Sequence, residues 1–402
     1  VTVEQLSVGD RVQVGITKVV HGGHFLAHFA GKAIFVRGAL DGEKVEIEIT
    51  SKRKKVYFAQ TVAVHESSPH RVNPPCASSF ACGGCDFQYI DVPYQLSLKT
   101  QVLRESLQKF SGLSEDRVSQ LVAGGVRPIP NARPNGSNWR QRSRFVWNEG
   151  WHMRRHASHE LVQASDCTII TQDMRAALLE TGAPPVGEYA VVEGENGVFL
   201  GNLDNHLSGP SLIVHTAFDT HWSIPPQVFW QADPQVVFEI ADFIDQTIAI
   251  NPGEQWWDLF GGAGVFAAYL SQHIGQSGRV TSVDADPMAA HAARAALGDR
   301  DNVRLIHSDT EEFLDQASRG AQSDLQGAIL DPPRAGVGES VTRKLMSFEP
   351  TYIIYIACDP VALSRDLKTL CEKYRVVDLR AWDAFPMSHH FETVAILKQD
   401  LS

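Results

Sequence analysis

The chain has no long apolar run; none approaches the ~20 residues that a membrane helix needs. Internal repeats and low-complexity segments are also missing, which sets aside fibrous and disordered classes. Its first residues, VTVEQLSVGDRV, lack a signal-peptide pattern, so a cytoplasmic location is expected. Cysteine is scarce: six in 402 residues are too few for a disulfide scaffold of that length. Nor is there an excess of positive charge. Thirty-six Lys and Arg against 47 Asp and Glu leave −11, so the chain as a whole exerts no long-range pull on a polyanion. What is present, 43% hydrophobic and 21% charged residues, is the composition of a globular protein long enough for two or three domains.

The charge is unevenly spread. Residues 1–62 alternate apolar and polar positions in short runs broken by Gly, which predicts a small antiparallel β-barrel of OB-like type. Residues 1–60 hold nine Lys and Arg against six Asp and Glu. The run Lys52, Arg53, Lys54, Lys55 lies between two strands, where it suits phosphate or a solvated hairpin tip. Residues 67–75 read as a linker, and a helix is expected over 93–110, packed on the C-terminal part. From there to residue 226 the pattern is mixed and strand-rich, predicting an α+β central domain over 63–226. One stretch stands out there, NWRQRSRFVWNEGWHMRRH. Seven Arg against two Glu over 127–160 bring Arg140, Arg142, Arg144, Arg154 and Arg155 together with Trp139, Phe145, Trp147 and Trp151. Such alternation suits phosphate clamping and base stacking; a strand with a solvated basic face gives the same pattern.

Over 227–402, strand-like and helical runs alternate and end in an antiparallel-looking pair, which predicts a doubly wound α/β sheet. The run from Asp258 to Gly264, DLFGGAG, follows a strand and opens a helix, so Gly262 lets the backbone approach a ligand. Twenty residues on, Asp284 ends a strand in place for a ribose diol, and Asp286-Pro287 starts the next helix. Without G-x-G-x-x-G spacing, and with an acid ahead of the loop, S-adenosylmethionine suits better than a nicotinamide. Asp309 is then the candidate for its adenine amine.

Asp331, in DPPR, and Cys358, just before a helix, end neighbouring strands beside the glycine loop. The helix terminus is expected to favour the Cys358 thiolate. Glu392 opens the last strand at the same rim, whereas Cys371 falls mid-helix and suits packing. Cysteine, carboxylate and methyl donor together suit C5 of uracil, a poor nucleophile until a thiolate adds at C6. A base must then remove the C5 proton, and in structured RNA the nucleotide must be flipped out. Finally, Cys76-x5-Cys82-Gly-Gly-Cys85 with Cys167 offers four thiolates, a set that spacing alone leaves open between zinc and an iron–sulfur cluster.

The motifs FWQAD, DLFGGAG, LDPPRAG, ACDPVALSRDL and FPMSHHFETVAIL resemble those of the RNA uracil-5 methyltransferases of the iron–sulfur, TRAM-domain type, over essentially the whole chain. The resemblance implies a TRAM barrel at 1–62, a cluster-bearing domain at 63–226 and a class I methyltransferase domain at 227–402. It makes Cys358 the nucleophile and Glu392 the base, and gives Gln231, Phe260, Asp284, Asp309 and Asp331 to S-adenosylmethionine. It also implies a 4Fe-4S cluster on Cys76, Cys82, Cys85 and Cys167. The expected partner is RNA, 23S rRNA ahead of tRNA, bound by a monomer. Two departures stand out: Ala357-Cys-Asp-Pro360 where S-C-N-P is usual, and Val265 where Asn is common. The alternatives are an exocyclic amino-methyltransferase, which would need an aromatic at Arg334 and no cysteine; a 5-methylcytosine enzyme, which would carry P-C after the strand-four Asp; and an inactive RNA-binding or ribosome-assembly factor.

Overall fold

Fifteen buried side chains between Leu6 and Ala59, among them Phe25, Ile34, Ile47 and Tyr57, close the first part of the chain around its own core. The computed structural model describes residues 6–54, 56–130, 135–320 and 324–400, so Lys55 of the basic run lies outside the described residues. Strands β1 (Arg11–Val20), β2 (His24–Phe29), β3 (Lys32–Arg37), β4 (Lys44–Arg53) and β5 (Val56–Glu66) form a closed barrel in the order β1-β2-β3-β5-β4. Closure leaves no sheet edge unpaired, and period-two alternation puts every second residue inside. Lys52 and Arg53 end β4, with Lys54 in the left-handed region at φ 55°.

The expected linker at 67–75 is pinned. Arg71 makes a two-pronged pair with the fully buried Glu43 at 2.6 and 2.8 Å, and its guanidinium lies 4.7 Å from the ring centre of Tyr89. A buried carboxylate needs such a partner, so the barrel itself dictates where the following segment runs.

Helix α1 (Val92–Phe110) is capped by Asp91, whose carboxylate accepts from the Tyr94 amide. With α2 (Glu115–Leu121) and β6 (Val126–Pro128) it joins the C-terminal layer: Leu103 and Leu107 are buried in that core, and β6 pairs in parallel with its edge strand. The central part is an antiparallel sheet with strand order β12-β11-β10-β7-β8-β9, built from β7 (Arg142–Trp147), β8 (Trp151–Arg154), β9 (Leu161–Gln163), β10 (Gly187–Gly194), β11 (Gly197–Gly201) and β12 (His206–Ser208). Helix α3 (Gln172–Glu180) covers it, and the hairpin β13 (Ile213–Ala217) and β14 (Thr220–Ile224) follows. The aromatics of the basic stretch correct the stacking expectation. Phe145 and Trp151 are buried with Tyr189 in this sheet's core, and Trp147 packs edge-on to Trp151 at 5.0 Å. On a two-faced sheet one alternate set must go inward, and the aromatic set has the larger apolar area to bury.

The last part interleaves α4 (Gln235–Thr247), β15 (Gln255–Leu259), α5 (Val265–Ile274), β16 (Arg279–Asp284), α6 (Pro287–Leu297), β17 (Val303–His307), α7 (Thr310–Ala317), β18 (Leu325–Leu330), α8 (Glu339–Met346), β19 (Tyr352–Ala357), α9 (Pro360–Leu370), β20 (Tyr374–Asp383) and β21 (Glu392–Gln399). The sheet order is β17-β16-β15-β18-β19-β21-β20-β6; β17 to β19 are parallel, and β21 runs antiparallel between β19 and β20. Asp286, Asp309 and Asp359 each cap the helix after their strand, as the sequence suggests for Asp286. Cys371 packs on the core, yet at the C-cap of α9 rather than within a helix. No helix among the described residues is long and apolar enough to cross a membrane.

Candidate active site

The carboxyl ends of β15, β16, β18 and β19 meet at the centre of the sheet, where doubly wound folds bind ligands. The glycine loop there is held from below. The Asp258 carboxylate accepts from Ser282 at 2.8 Å, and a Cβ on Gly261 would stand 2.3 Å from that hydroxyl, so only glycine fits. From the side, the Trp222 indole donates to the carbonyl of Ala263 at 2.8 Å. Asp284 then takes the Gly262 amide at 2.8 Å and that of Asp286 at 2.7 Å. Phe260 sits at φ 61°, in the region L-residues avoid, a strain that tightly packed surroundings keep in place. Asp258 is itself fully buried and does not line the cavity above the loop, so it supports the loop from beneath.

A cavity of about 1370 Å³ opens above this loop. It brings together Gln231, Phe260, Gly262, Asp284, Asp309 and Asp331 with Cys358 and Glu392, every candidate for cofactor and chemistry. Trp230 stacks face to face on the buried His215 at 4.5 Å, which fixes the turn carrying Gln231. Asp309 spends Oδ1 on the Glu311 and Glu312 amides at 2.8 and 3.3 Å.

Electrostatics favour neutral forms here. Burial, with the charges of Asp258 and Asp284, pushes Asp331 up to about 7. Burial and the Asp331 charge raise Glu392 well above the usual carboxylate range. Cys358 goes up to about 12, through burial first and then Glu392, with Arg334 opposing. This corrects the expectation of a ready thiolate. The α9 terminus spends its first amides on Asp359, which accepts from Val361 and Ala362 at 2.9 Å each, so Cys358 gains little from them and has a carboxylate beside it.

Two cavity residues escaped the sequence reading. Arg334 donates to Nε2 of His390 at 3.0 Å, and burial, then His389 and Arg334, brings that imidazole down to about 3, so it stays neutral and can accept. Both lie in the quoted DPPR and SHHFE runs, whose function-bearing letters had no spacing rule to mark them.

The five arginines separate. Arg140, Arg142 and Arg144 line the cavity mouth, whereas Arg154 and Arg155 lie away from it. Arg142 donates to the carbonyl of Pro226, a clamp rather than a free cation. The Arg144 side chain is 79% exposed, with Glu188 at 3.6 Å. Arg154 and Arg155 pair with Glu188 and Glu160 at 3.0 and 2.9 Å. Arg53 lies 5.6 Å from the ring centre of Phe58, and Lys52 5.1 Å from that of Tyr57. On the same barrel wall Phe58, Phe35 and His24 form one half-buried aromatic patch, with His156 of the central part 6.2 Å from His24.

Among the described residues no three or more His, Cys, Asp or Glu side chains stand in metal-holding geometry. The four cysteines nevertheless gather. Burial and the neighbouring Cys167 and Cys76 raise the Cys82 thiol, and burial raises Cys85 and Cys167. Gln88 donates to Sγ of Cys85 at 3.1 Å and the Gly84 amide to Sγ of Cys82 at 3.3 Å. Arg37 of the barrel holds the loop by the carbonyls of Cys82 and Cys85 at 3.1 and 2.9 Å.

A sheet of this order with an acidic, glycine-floored cavity at its centre defines a class I methyltransferase. Residues 216–400 match the tRNA (Uracil-5-)-methyltransferase family and residues 5–62 match the TRAM domain. An uncharacterised RNA methyltransferase of Streptomyces coelicolor is 30% identical over 97% of this chain and 93% of its own length. The 23S rRNA (uracil(1939)-C(5))-methyltransferase RlmD of Shewanella piezotolerans is 25% identical over 98% and 97%. Among solved structures, the tRNA (uracil-54, C5)-methyltransferase of Pyrococcus abyssi, in complex with S-adenosyl-L-homocysteine, shares the fold with a TM-score of 0.70 at 21% identity, covering 96% of this chain and 99% of that one. The chain belongs to the TRAM-containing RNA uracil-5-methyltransferase family.

Proposed function

We propose that this protein methylates C5 of a uridine in 23S rRNA through a covalent adduct on Cys358. The observation that carries the reading is the single cavity holding Cys358, Glu392 and Asp331 beside Asp284 and Asp309. At about 1370 Å³ it exceeds the ~300–1,000 Å³ of a pocket for one small ligand, and so has room for a nucleoside cofactor and a flipped base.

S-adenosylmethionine supplies an electrophilic methyl group on a cationic sulfonium. The chain provides the rest. Gln231, Phe260, Gly262, Asp284, Asp309 and Asp331 hold the cofactor, the carboxylates complementing its positive charge. The Cys358 thiolate adds to C6 of uracil, and the resulting enolate makes C5 nucleophilic toward the methyl. Glu392 takes the C5 proton, and the electron pair left at C5 re-forms the double bond as Cys358 departs. Burial raises the proton affinity of Glu392, which acts as the base once its carboxyl has been ionised.

RNA contacts are assigned to Arg144 and Arg140 at the mouth, with Lys52, Arg53, Arg154 and Arg155 farther out. Cys76, Cys82, Cys85 and Cys167 are assigned a structural 4Fe-4S cluster. Amide donors aimed at Cys82, Cys85 and Cys167 support this, as does the buried Trp139 indole N–H without a partner that packs against the group. The RlmD relatives, matched end to end, favour 23S rRNA over tRNA.

The test uses 23S rRNA and tRNA transcribed with 5-fluorouridine, whose C5 fluorine cannot be removed as a proton. A trapped adduct at Cys358 with the ribosomal RNA is expected. An adduct with tRNA alone overturns the target, and turnover on unmodified RNA by Cys358→Ser overturns the mechanism.

A further inference from the structure

Two histidine and glycine positions of the barrel reach the catalytic rim. His21, in the turn between β1 and β2, places Nε2 2.9 Å from Oδ2 of Asp359, the residue next to Cys358. The other oxygen of Asp359 caps α9 on the amides of Val361 and Ala362. Although burial opposes it, His21 and those amides hold the Asp359 carboxyl down at about 2. Two residues along the same turn, Gly23 has φ +75°, and a Cβ there would stand 3.0 Å from Nδ1 of His389, which is itself held by Asp86 at 2.6 Å. A third tie, Lys18 to Glu105 at 2.6 Å, fastens the end of β1 to α1.

We propose that this barrel turn is a working part of the catalytic rim and that His21 is a positioning residue, fixing the Asp359 carboxylate on the helix cap and offsetting its charge beside Cys358. Asp359 matters because it is one of four ionisable groups around the thiol, with Glu392, Arg334 and Asp331, and the one among the three acids whose carboxyl is held down. A carboxylate adjacent to a nucleophile resists thiolate formation. The His21 imidazole, bonded to the far side of Asp359, weakens that resistance, and through the turn the seating of the barrel, a family-assigned RNA-binding module, bears on the nucleophile. The pair is partly solvated, 43% and 23% exposed, so its effect is modest.

The proposal rests on Cys358 being the reacting group, but its test reads the free thiol. A methanethiosulfonate reagent is used on the full chain, with labelling of Cys358 resolved by peptide mass. His21→Ala removes the partner of the Asp359 carboxylate and is expected to slow labelling about threefold. The Asp359→Asn protein keeps a good cap and loses the charge; it should label faster than wild type, and adding His21→Ala to it should change nothing. At pH 6 to 7, kcat should fall with the labelling rate while KM for S-adenosylmethionine stays put. Equal labelling of wild type and His21→Ala overturns the proposal, as does a His21→Ala effect undiminished in the Asp359→Asn background. Turnover by Cys358→Ser would instead refute the nucleophile assignment and leave the labelling result standing.

Discussion

Lys99 of α1 places its ammonium 2.5 Å from the carboxylate of Asp383 at the end of β20, with both side chains buried, 1% and 3% exposed. Its Nζ also donates to the carbonyl of Phe385, the first residue of the rim that leads to Glu392. The pair thus welds the helix after the cysteine loop to the strand before Glu392. Removing one partner leaves the other charge buried and unpaired. Lys99→Met is expected to cost about 3–5 kcal/mol, read as a lower urea midpoint, and pairing it with Asp383→Leu should recover most of the loss.

That weld shows what the sequence could and could not reveal. The glycine loop, the Asp286 cap and the strand-end positions of Cys358 and Glu392 were legible because each is a local pattern at a strand end. Lys99 was one polar position on a helix, and nothing local told it to be buried; its partner lies 284 residues away. The same holds for His21 with Asp359 and for Arg37 with the cysteine loop. The arginine-aromatic stretch misled for the opposite reason: alternation is visible in sequence, but which alternate set faces the core depends on what covers the sheet, and here α3 covers Phe145 and Trp151.

Cofactor charge should control the nucleophile. The free protein holds Cys358 at about 12, through burial and the acids around it. At neutral pH the thiolate fraction is small and rises tenfold per pH unit, so labelling and turnover both climb with pH from 6 to 9. A sulfonium among Asp284, Asp309 and Asp331 favours the ionised thiol. S-adenosylmethionine is expected to accelerate Cys358 labelling, and S-adenosylhomocysteine, whose sulfur is a neutral thioether, should not. Equal acceleration by both would mean that closure of the cavity, not charge, governs the thiol.

Removing the base should leave the adduct behind. Glu392→Gln keeps the side-chain volume and a polar tip but cannot take the C5 proton. Methylation should drop by roughly 10²–10⁴-fold while covalent protein–RNA complex accumulates on ordinary uridine substrate. Gel analysis of denatured reactions separates this from a binding defect, which would lower both products together.

The cysteine loop should answer to iron. Protein purified without oxygen is expected to be brown, with broad absorption near ~400 nm and about four iron atoms per chain. Because Arg37 grips the loop by two carbonyls and Asp86 of the same loop holds His389, loss of the cluster should loosen the barrel from the rim. Protease sensitivity around residues 67–92 is the direct readout. Colourless, zinc-loaded protein with full activity would contradict the assignment.

The barrel wall should bind RNA by stacking as well as by charge. His24, Phe35 and Phe58 face outward as one patch, with Phe35 and Phe58 edge to face at 5.5 Å and Arg53 beside Phe58. A half-exposed aromatic patch flanked by a cation fits the face of an unpaired base better than it fits water. Phe35→Ala and Phe58→Ala are each expected to weaken RNA binding by about 1–3 kcal/mol with an unchanged salt slope, whereas Arg53→Ala should weaken it and reduce the slope by about one. Neither phenylalanine contributes to the cavity, so kcat at saturating RNA should hold in both variants. If the patch were only packing, the phenylalanine variants would lose stability and keep their RNA affinity, and filter binding across a salt series distinguishes the two.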